Sequence, residues 1–285
     1  MKPSSWSPRR RVEETYRREL NALLERYLRF PSDATLADIL TRLTDFRRVD
    51  AFFKRYAAAA AERMVTALRA DHARTWREAA AQGTEGRFLF TALQREMRGA
   101  VGSAVRLTVQ TNAELVGSLP LKLAQEANHT ILVAQQRGVR AEAIAQHLKR
   151  RFPQLAKSRA ALIARTETSK ASTALTRARA EEIGASWYVW ETSHDERVRA
   201  SHRLMSGVLI NFNDPPDPER LAGERQSYGH YDAGDIFNCR CYPAPLLRWN
   251  QVAWPHKVYH AGRIQYMTLA AFRRITTHQQ LEAIA

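Results

Sequence analysis

Side chains able to bind a metal or transfer a proton concentrate between residues 194 and 241. The two cysteines of the chain, Cys239 and Cys241, lie here one residue apart, so in a β-strand both thiols would point to the same face. Two thiolates and the imidazoles of His202 and His230 would supply the tetrahedral sulfur and nitrogen donors that zinc prefers. The pattern therefore predicts one structural zinc ion, which would cross-link a loop-rich region. Two buried thiols, or a disulfide formed by oxidation, remain alternatives.

A second polar group precedes these cysteines and consists of Asp195, Arg197 and His202. One interpretation is a polar network or catalytic group. The interpretation we favour is a helix cap, a surface pair and a hydrogen-bonded histidine, because no nucleophile with a matching base is evident. Asp195 suits the N-cap of a short helix predicted over 196–205. The sequence also has no glycine-rich phosphate loop, G-x-S-x-G elbow or H-E-x-x-H helix, which favours a protein that is not an enzyme.

The elements that would position these residues change in type near Gly184. Before it, apolar residues recur every three or four positions, which predicts helices. The helical segments are 12–30, 36–46, 51–81, 87–116, 121–136 and 140–151, then, after a break at Phe152-Pro153, a helix to about Ile183. Beyond it, strands are predicted at 187–190, 208–212 and 236–242, the last ended by Pro243 and Pro245, with a helix near 268–275. The predicted fold is mostly α, with an elongated helical N-terminal region and a small α+β C-terminal lobe.

Positive charge is concentrated in the N-terminal part of the chain. The formal net charge is +15; residues 1–160 contain 29 Lys and Arg against 16 Asp and Glu, whereas residues 161–285 contain 15 against 13. This excess predicts a polyanionic partner, bound through sequence-tolerant and salt-sensitive contacts to phosphates. The candidate contacts are Arg9, Arg10, Arg11, Arg17, Arg18, Arg47, Arg48, Lys149, Arg150 and Arg151. No helix-turn-helix, zinc finger or aromatic RNA motif accompanies them.

Composition also bears on the compartment. No run approaches about 18 apolar residues, so we expect neither a transmembrane helix nor a membrane partner. Residues 1–6 lack an apolar signal core, so Sec-type secretion is not expected. Two cysteines cannot build a disulfide framework, which agrees with a reducing compartment.

Several short motifs follow one another in a recognisable order. The first is Ile163-Ala164-Arg165-Thr166-Glu167, the second is Asp195-Glu196-Arg197-Val198-Arg199 followed by His202, and the last is Asn238-Cys239-Arg240-Cys241. Over about residues 155–245 this order resembles the phage Mu F-like minor head protein family, also called phage head morphogenesis proteins. The recurring polar positions of the family correspond to Arg165, Glu167, Asp195, Arg197, His202, Asn238, Cys239, Arg240 and Cys241. The resemblance transfers the identity of these positions and not a mechanism.

The resemblance implies a minor capsid protein of a tailed phage or prophage, with a structural role in head assembly at or near the portal vertex. Its expected partners are the portal protein, the major capsid protein or both, and packaged double-stranded DNA through non-specific phosphate contacts. The expected location is the phage head, with the host cytoplasm as the site of assembly. The expected organisation is a basic helical region at 1–157, a Mu F-like head morphogenesis domain at 158–247 and a C-terminal extension at 248–285.

Two other functions stay open at this stage. One is a metal-assisted hydrolase or nuclease acting on nucleic acid, with His202, Asp195 and a cysteine-bound ion forming its site. The other is a non-specific DNA-binding module that has no place in the virion. Cleavage of DNA would identify the first, and absence from purified particles would favour the second.

Overall fold

The computed structural model describes residues 6–45, 50–81 and 99–282. Its helices are α1 (Arg10–Leu28), α2 (Leu36–Asp45), α3 (Asp50–Ala81), α4 (Ala100–Gly117), α5 (Leu119–Gln136), α6 (Ala141–Glu182), α7 (Ala200–Met205), α8 (Pro218–Leu221) and α9 (Leu269–Glu282). Its strands are β1 (Trp187–Glu191), β2 (Leu209–Asn211), β3 (Tyr242–Pro245), β4 (His256–His260) and β5 (Arg263–Met267). The predicted fold class, mostly helical with a small C-terminal α+β region, is confirmed. Among the described residues, no helix combines the length and apolar character that crossing a bilayer requires.

Apolar spacing and a capping box in the sequence explain the first two helices. In α1, Val12, Tyr16 and Leu20 are spaced one turn apart and all three are buried. Before α2, the Thr35 hydroxyl accepts a hydrogen bond from the Asp38 backbone N–H at 3.2 Å, and the Asp38 carboxylate accepts one from the Thr35 backbone N–H at 2.8 Å. This capping box satisfies N–H groups that have no partner within the helix. The bonds from Thr35 also lower the pKa of Asp38.

Helix α6 continues through Pro153, where the sequence predicted a break, so that prediction was wrong. Proline has no N–H and removes one hydrogen bond from the helix. Phe152, Ala156 and Ala160 lie one turn apart on either side of this position, and all three are buried. Burial of this continuous apolar stripe outweighs the single missing bond, because helical stability in proteins comes mainly from packing.

The chain divides into two compact units, each assembled from separate segments. The helical unit consists of Arg9–Arg69 and Val105–Thr168, and the sheet unit consists of Met1–Pro8, Ala70–Ala104 and Ser169–Ala285. The predicted boundary at residue 157 falls within the continuous helix α6. The predicted limits 1–157, 158–247 and 248–285 remain predictions.

The sheet has five strands in the order β3-β1-β2-β4-β5. All neighbouring pairs are antiparallel except β2 and β4, which are parallel with Leu209 opposite Val258. The strand predicted over 236–242 was wrong, since β3 begins at Tyr242 and includes Pro243 and Pro245. Both prolines are tolerated because β3 is an edge strand of this sheet and pairs only with β1.

Apolar clusters cover both faces of the sheet. Successive side chains of β1 point to opposite faces of the sheet. Tyr188 and Trp190 lie in one cluster, and Trp187 lies in the other. The second cluster also contains Val258 of β4 and Phe272 of α9. Residues after 247 therefore complete the sheet and one of its cores. A strand covered on both faces reads as a continuous apolar run, as β1 does.

Candidate metal centre

Three buried side chains of the sheet unit converge on one point. The Nδ1 atom of His202 lies 3.5 Å from the Sγ of Cys239 and 3.4 Å from the Sγ of Cys241. The exposed fractions of the three residues are only 2%, 3% and 2%. They form the group of potential metal ligands that the described part of the chain brings together, with all donor atoms within 4.8 Å of one another. His202 comes from α7, and both cysteines come from the segment that enters β3.

The two thiols face the same imidazole because of a turn, and not because of a strand. Residues 236–241 precede β3, and Asn238 adopts a left-handed backbone conformation with φ 52°. The backbone N–H of Cys241 then donates to the Sγ of Cys239 at 3.3 Å, which holds the two sulfurs close together. The predicted juxtaposition of Cys239 and Cys241 is therefore present, although the predicted strand geometry was wrong.

A chain of hydrogen bonds supports the other side of the imidazole. The Nε2 of His202 lies 3.0 Å from the Tyr231 hydroxyl, which donates to Oε1 of Glu219 at 2.6 Å. The Ser201 hydroxyl donates to the same oxygen at 3.3 Å. Since the Tyr231 hydroxyl donates to Glu219, its oxygen accepts a hydrogen bond from the Nε2–H of His202. In the neutral ring, the lone pair of Nδ1 then faces the two sulfurs.

The metal-free thiols share their protons unequally. The hydrogen bond from the Cys241 thiol and the adjacent His202 hold the pKa of Cys239 well below the ordinary thiol value, against the opposing effect of burial. The same bond and burial raise the pKa of Cys241. Cys239 is thus the better thiolate and Cys241 the proton donor. A thiolate is the form that binds a metal or attacks an electrophile.

The loop that carries Tyr231 is fixed to α6 and β1. The Asp232 carboxylate accepts hydrogen bonds from Arg177 and from the Tyr188 hydroxyl, each at 3.1 Å. Burial raises the pKa of Asp232 to about 6, although Arg177 opposes that shift. The Thr173 hydroxyl donates to the carbonyl of Ala233 at 2.7 Å. These bonds hold a segment with little regular structure in a fixed position beside the three potential ligands.

The remaining predicted metal ligand and the second polar group lie elsewhere. His230 is exposed, and its Nδ1 donates to the carbonyl of Pro215 at 2.8 Å, so the structure does not bring it to the cysteines. Asp195 pairs with Arg240 at 2.8 Å and accepts the backbone N–H of Arg197 at 3.0 Å. The helix predicted over 196–205 begins only at residue 200, so Asp195 caps a turn and not that helix.

The motif of α6 lies mainly within the helical unit. Arg165 forms an ion pair with Glu13 at 3.4 Å, and Glu167 is buried. Burial, together with the negative charge of Glu167, raises the pKa of Tyr16. These contacts position helices of the helical unit against one another. Neither Arg165 nor Glu167 is among the three potential metal ligands.

The predicted phosphate contacts are mostly at the surface. Five of them in and before α1 are exposed, as are two in α6: Arg9, Arg10, Arg11, Arg17, Arg18, Arg150 and Arg151. Lys149 instead donates to the carbonyls of Ser32 and Ala34, at 2.6 and 3.1 Å. Arg47 and Arg48 lie outside the described residues.

Sequence reasoning missed Tyr231 and Glu219. No local pattern marks either residue as a partner of His202, because 29 and 17 positions separate them from it. Asp217 and Pro218 predict a helix start there, which marks α8 but not the role of Glu219.

Comparisons with known proteins support the resemblance. Residues 125–243 match the family described as Phage Mu protein F like protein, which confirms the resemblance over that segment. A protein of Haemophilus influenzae, described as uncharacterized, is 33% identical over 140 residues, a stretch that covers 49% of this chain and 29% of that relative. The match therefore spans less than a third of the relative's length. No solved structure matches.

Proposed function

We propose that this chain, whose residues 125–243 match the phage Mu protein F-like family, is a minor head protein with a structural role in head assembly at or near the portal vertex. The family match carries the proposal. It contains every polar position on which the resemblance rests, from Arg165 to Cys241. The partners we propose are the portal protein, the major capsid protein or both. The location we propose for the protein is the phage head, after assembly in the host cytoplasm.

The environment of His202, Asp195 and the two cysteines favours a structural role over catalysis. A hydrolase of nucleic acid must admit a phosphodiester to its metal and base, but His202, Cys239 and Cys241 are almost fully buried. Asp195, the carboxylate that the alternative would use, is engaged by Arg240 at 2.8 Å. A donor set this buried, in a loop-rich region, favours a role in stabilising the fold.

The test of the proposed function is the protein content of particles. We expect mass spectrometry of purified particles, produced by the phage or prophage that encodes the chain, to find it in far fewer copies than the major capsid protein. Deletion of its reading frame should sharply reduce the yield of filled heads, and the intact frame supplied in trans should restore it. Cross-linking within the particles should identify the portal or major capsid protein as the neighbour.

Two results would contradict this proposal. Absence of the chain from complete particles would remove the structural role. Cleavage of DNA by the purified chain with divalent metal ions, lost in His202→Ala, would establish the metal-assisted hydrolase instead.

We further propose that the exposed arginines of the helical unit contact packaged DNA through phosphates. The concentration of positive charge before residue 160 supports this contact. Arg10, Arg11, Arg17 and Arg18 are exposed on one helix, within two turns of one another. Such contacts release counterions and tolerate any sequence.

Replacement of these four arginines by glutamine should weaken binding to double-stranded DNA and flatten its salt dependence. The slope of log affinity against log salt is negative, and each lost phosphate contact reduces its magnitude by about 0.9. Fluorescence anisotropy across a salt series measures both quantities. The matched control carries the same four-charge change at exposed arginines of the sheet unit: Arg203, Arg225, Arg263 and Arg274. Equal slopes for the two variants would show that only net charge matters.

A further inference from the structure

We propose that the Nδ1 of His202 and the Sγ atoms of Cys239 and Cys241 bind one Zn²⁺ ion. This site goes beyond the proposed function, and its test does not depend on that function. The three ligands are contributed by two segments separated by 36 residues. The ion would therefore fasten α7 to the segment that enters β3.

The spacing of the donor atoms agrees with tetrahedral zinc. Bonds of about 2.3 Å to sulfur and about 2.0 Å to nitrogen, at tetrahedral angles, place nitrogen and sulfur about 3.5 Å apart. The two separations from Nδ1 of His202 are 3.5 and 3.4 Å. All three donor atoms lie within 4.8 Å of one another.

Counting donors and acceptors also favours a cation at this point. With Nε2 of His202 bonded to Tyr231, the ring presents only Nδ1 to the cysteines. Both sulfurs lie within 3.5 Å of that one nitrogen. A metal ion placed among the three atoms accepts the lone pair of Nδ1 and both sulfurs at once.

The residues behind His202 form the support that metal-binding histidines usually have. Such a ligand commonly donates its other ring N–H to a carboxylate, a backbone carbonyl or water, which fixes the ring and its tautomer. Here the Tyr231 hydroxyl takes that place at 3.0 Å and is itself bonded to the Glu219 carboxylate at 2.6 Å. The Trp190 indole makes a T-shaped contact with the imidazole, with ring centroids 5.5 Å apart, and helps to exclude water.

The three ligands leave one position of the tetrahedron, and the burial of all three residues restricts it to a small donor such as water. The region that the ion would fasten, residues 212–241, contains only the four-residue helix α8. Its polar contacts and this cross-link would hold it beside the sheet. A metal that binds the folded form alone contributes its binding free energy to folding.

The test begins with the full chain, purified under reducing conditions and loaded with Zn²⁺. Elemental analysis after dialysis should find one zinc per chain. Substitution by Co²⁺ should give the d–d spectrum of a tetrahedral ion and a thiolate charge-transfer band. That band should fall to about half in Cys239→Ser, because one of two thiolates is lost. His230→Ala is the matched control and should retain the ion and both bands.

Tyr231→Phe examines the supporting hydrogen bonds without removing a ligand. Loss of the hydroxyl should weaken zinc affinity by about 10- to 100-fold, while the ion still binds at saturation. Competition with a chromogenic chelator measures this difference. An unchanged affinity would show that Tyr231 and Glu219 do not position a metal ligand.

A measurement on the unaltered chain keeps the proposal falsifiable if the cysteine variants fail to fold. Zinc should slow alkylation of Cys239 and Cys241, and a chelator should restore the rate and lower the melting temperature. Three results would overturn the proposal: no zinc in the reduced chain, no protection of the thiols, or a Cys239–Cys241 disulfide in protein purified without added oxidant.

Discussion

Replacement of Trp190 by alanine should lower the free energy of unfolding by about 3–5 kcal/mol, the range for a buried tryptophan. The indole is fully buried on β1, opposite Pro243 of β3. Its ring lies 5.5 Å from the imidazole of His202 and 6.1 Å from the ring of Tyr231. The vacated volume would admit water beside the metal centre, so zinc affinity should fall as well.

Urea titration followed by far-ultraviolet circular dichroism measures the loss for Trp190→Ala. Trp249→Ala is the control, because Trp249 is 38% exposed and its ring contacts Phe272 at 5.7 Å and the Arg273 guanidinium at 5.9 Å. A partly exposed indole has less apolar surface to lose, so the control should cost about 1–2 kcal/mol. Equal losses for the two variants would contradict the position of Trp190 at the centre of the core.

Replacement of Gly234 by alanine should cost about 2–5 kcal/mol, as the sum of backbone strain and overpacking. Gly234 has φ 88°, which L-residues rarely adopt. A Cβ there would lie 2.6 Å from the carbonyl oxygen of Cys241 and 2.6 Å from Oγ1 of Thr173. Because one of these atoms belongs to the backbone of Cys241, a proposed metal ligand, relief of the clash must move that residue. The variant should therefore also bind zinc more weakly.

Gly229→Ala separates strain from steric clash. Gly229 has a similar φ of 85°, but no atom lies within 4 Å of a Cβ built there. Its substitution should cost only the strain, about 1–2 kcal/mol, and should leave zinc affinity unchanged. Denaturant midpoints and zinc titrations of the two variants give the comparison. If Gly234→Ala is no more harmful than Gly229→Ala, the close approach to Cys241 is not rigid.

Much of the helical architecture is encoded locally. The buried stripe of α1 follows directly from the spacing of Val12, Tyr16 and Leu20, and the predicted helix over 51–81 differs from α3 by one residue. Strand β1 was likewise predicted from its aromatic residues. In each case the apolar period alone decides the element, because burial of one face or both faces fixes its conformation.

The errors occurred where a distant contact outweighs a local preference. Pro153 ends a helix by its own chemistry, yet the buried faces of α6 carry the helix past it. Pro243 and Pro245 disfavour a strand because they have no N–H to donate. They are tolerated in β3 because an edge strand pairs along one side only. Neither burial nor an edge position can be read from neighbouring residues in the sequence.

The helical class, the order of the family motifs and the closeness of the Cys239 and Cys241 thiols all follow from local patterns in the chain. Which histidine meets those thiols depends on the folded arrangement: His202 does, while His230 bonds to Pro215. The folded arrangement also places Tyr231 and Glu219 behind the imidazole. The physical reason is that a binding site depends on distances of a few ångströms between atoms far apart in the chain. Such distances are set by packing, whereas periodicity describes only neighbours a few residues away.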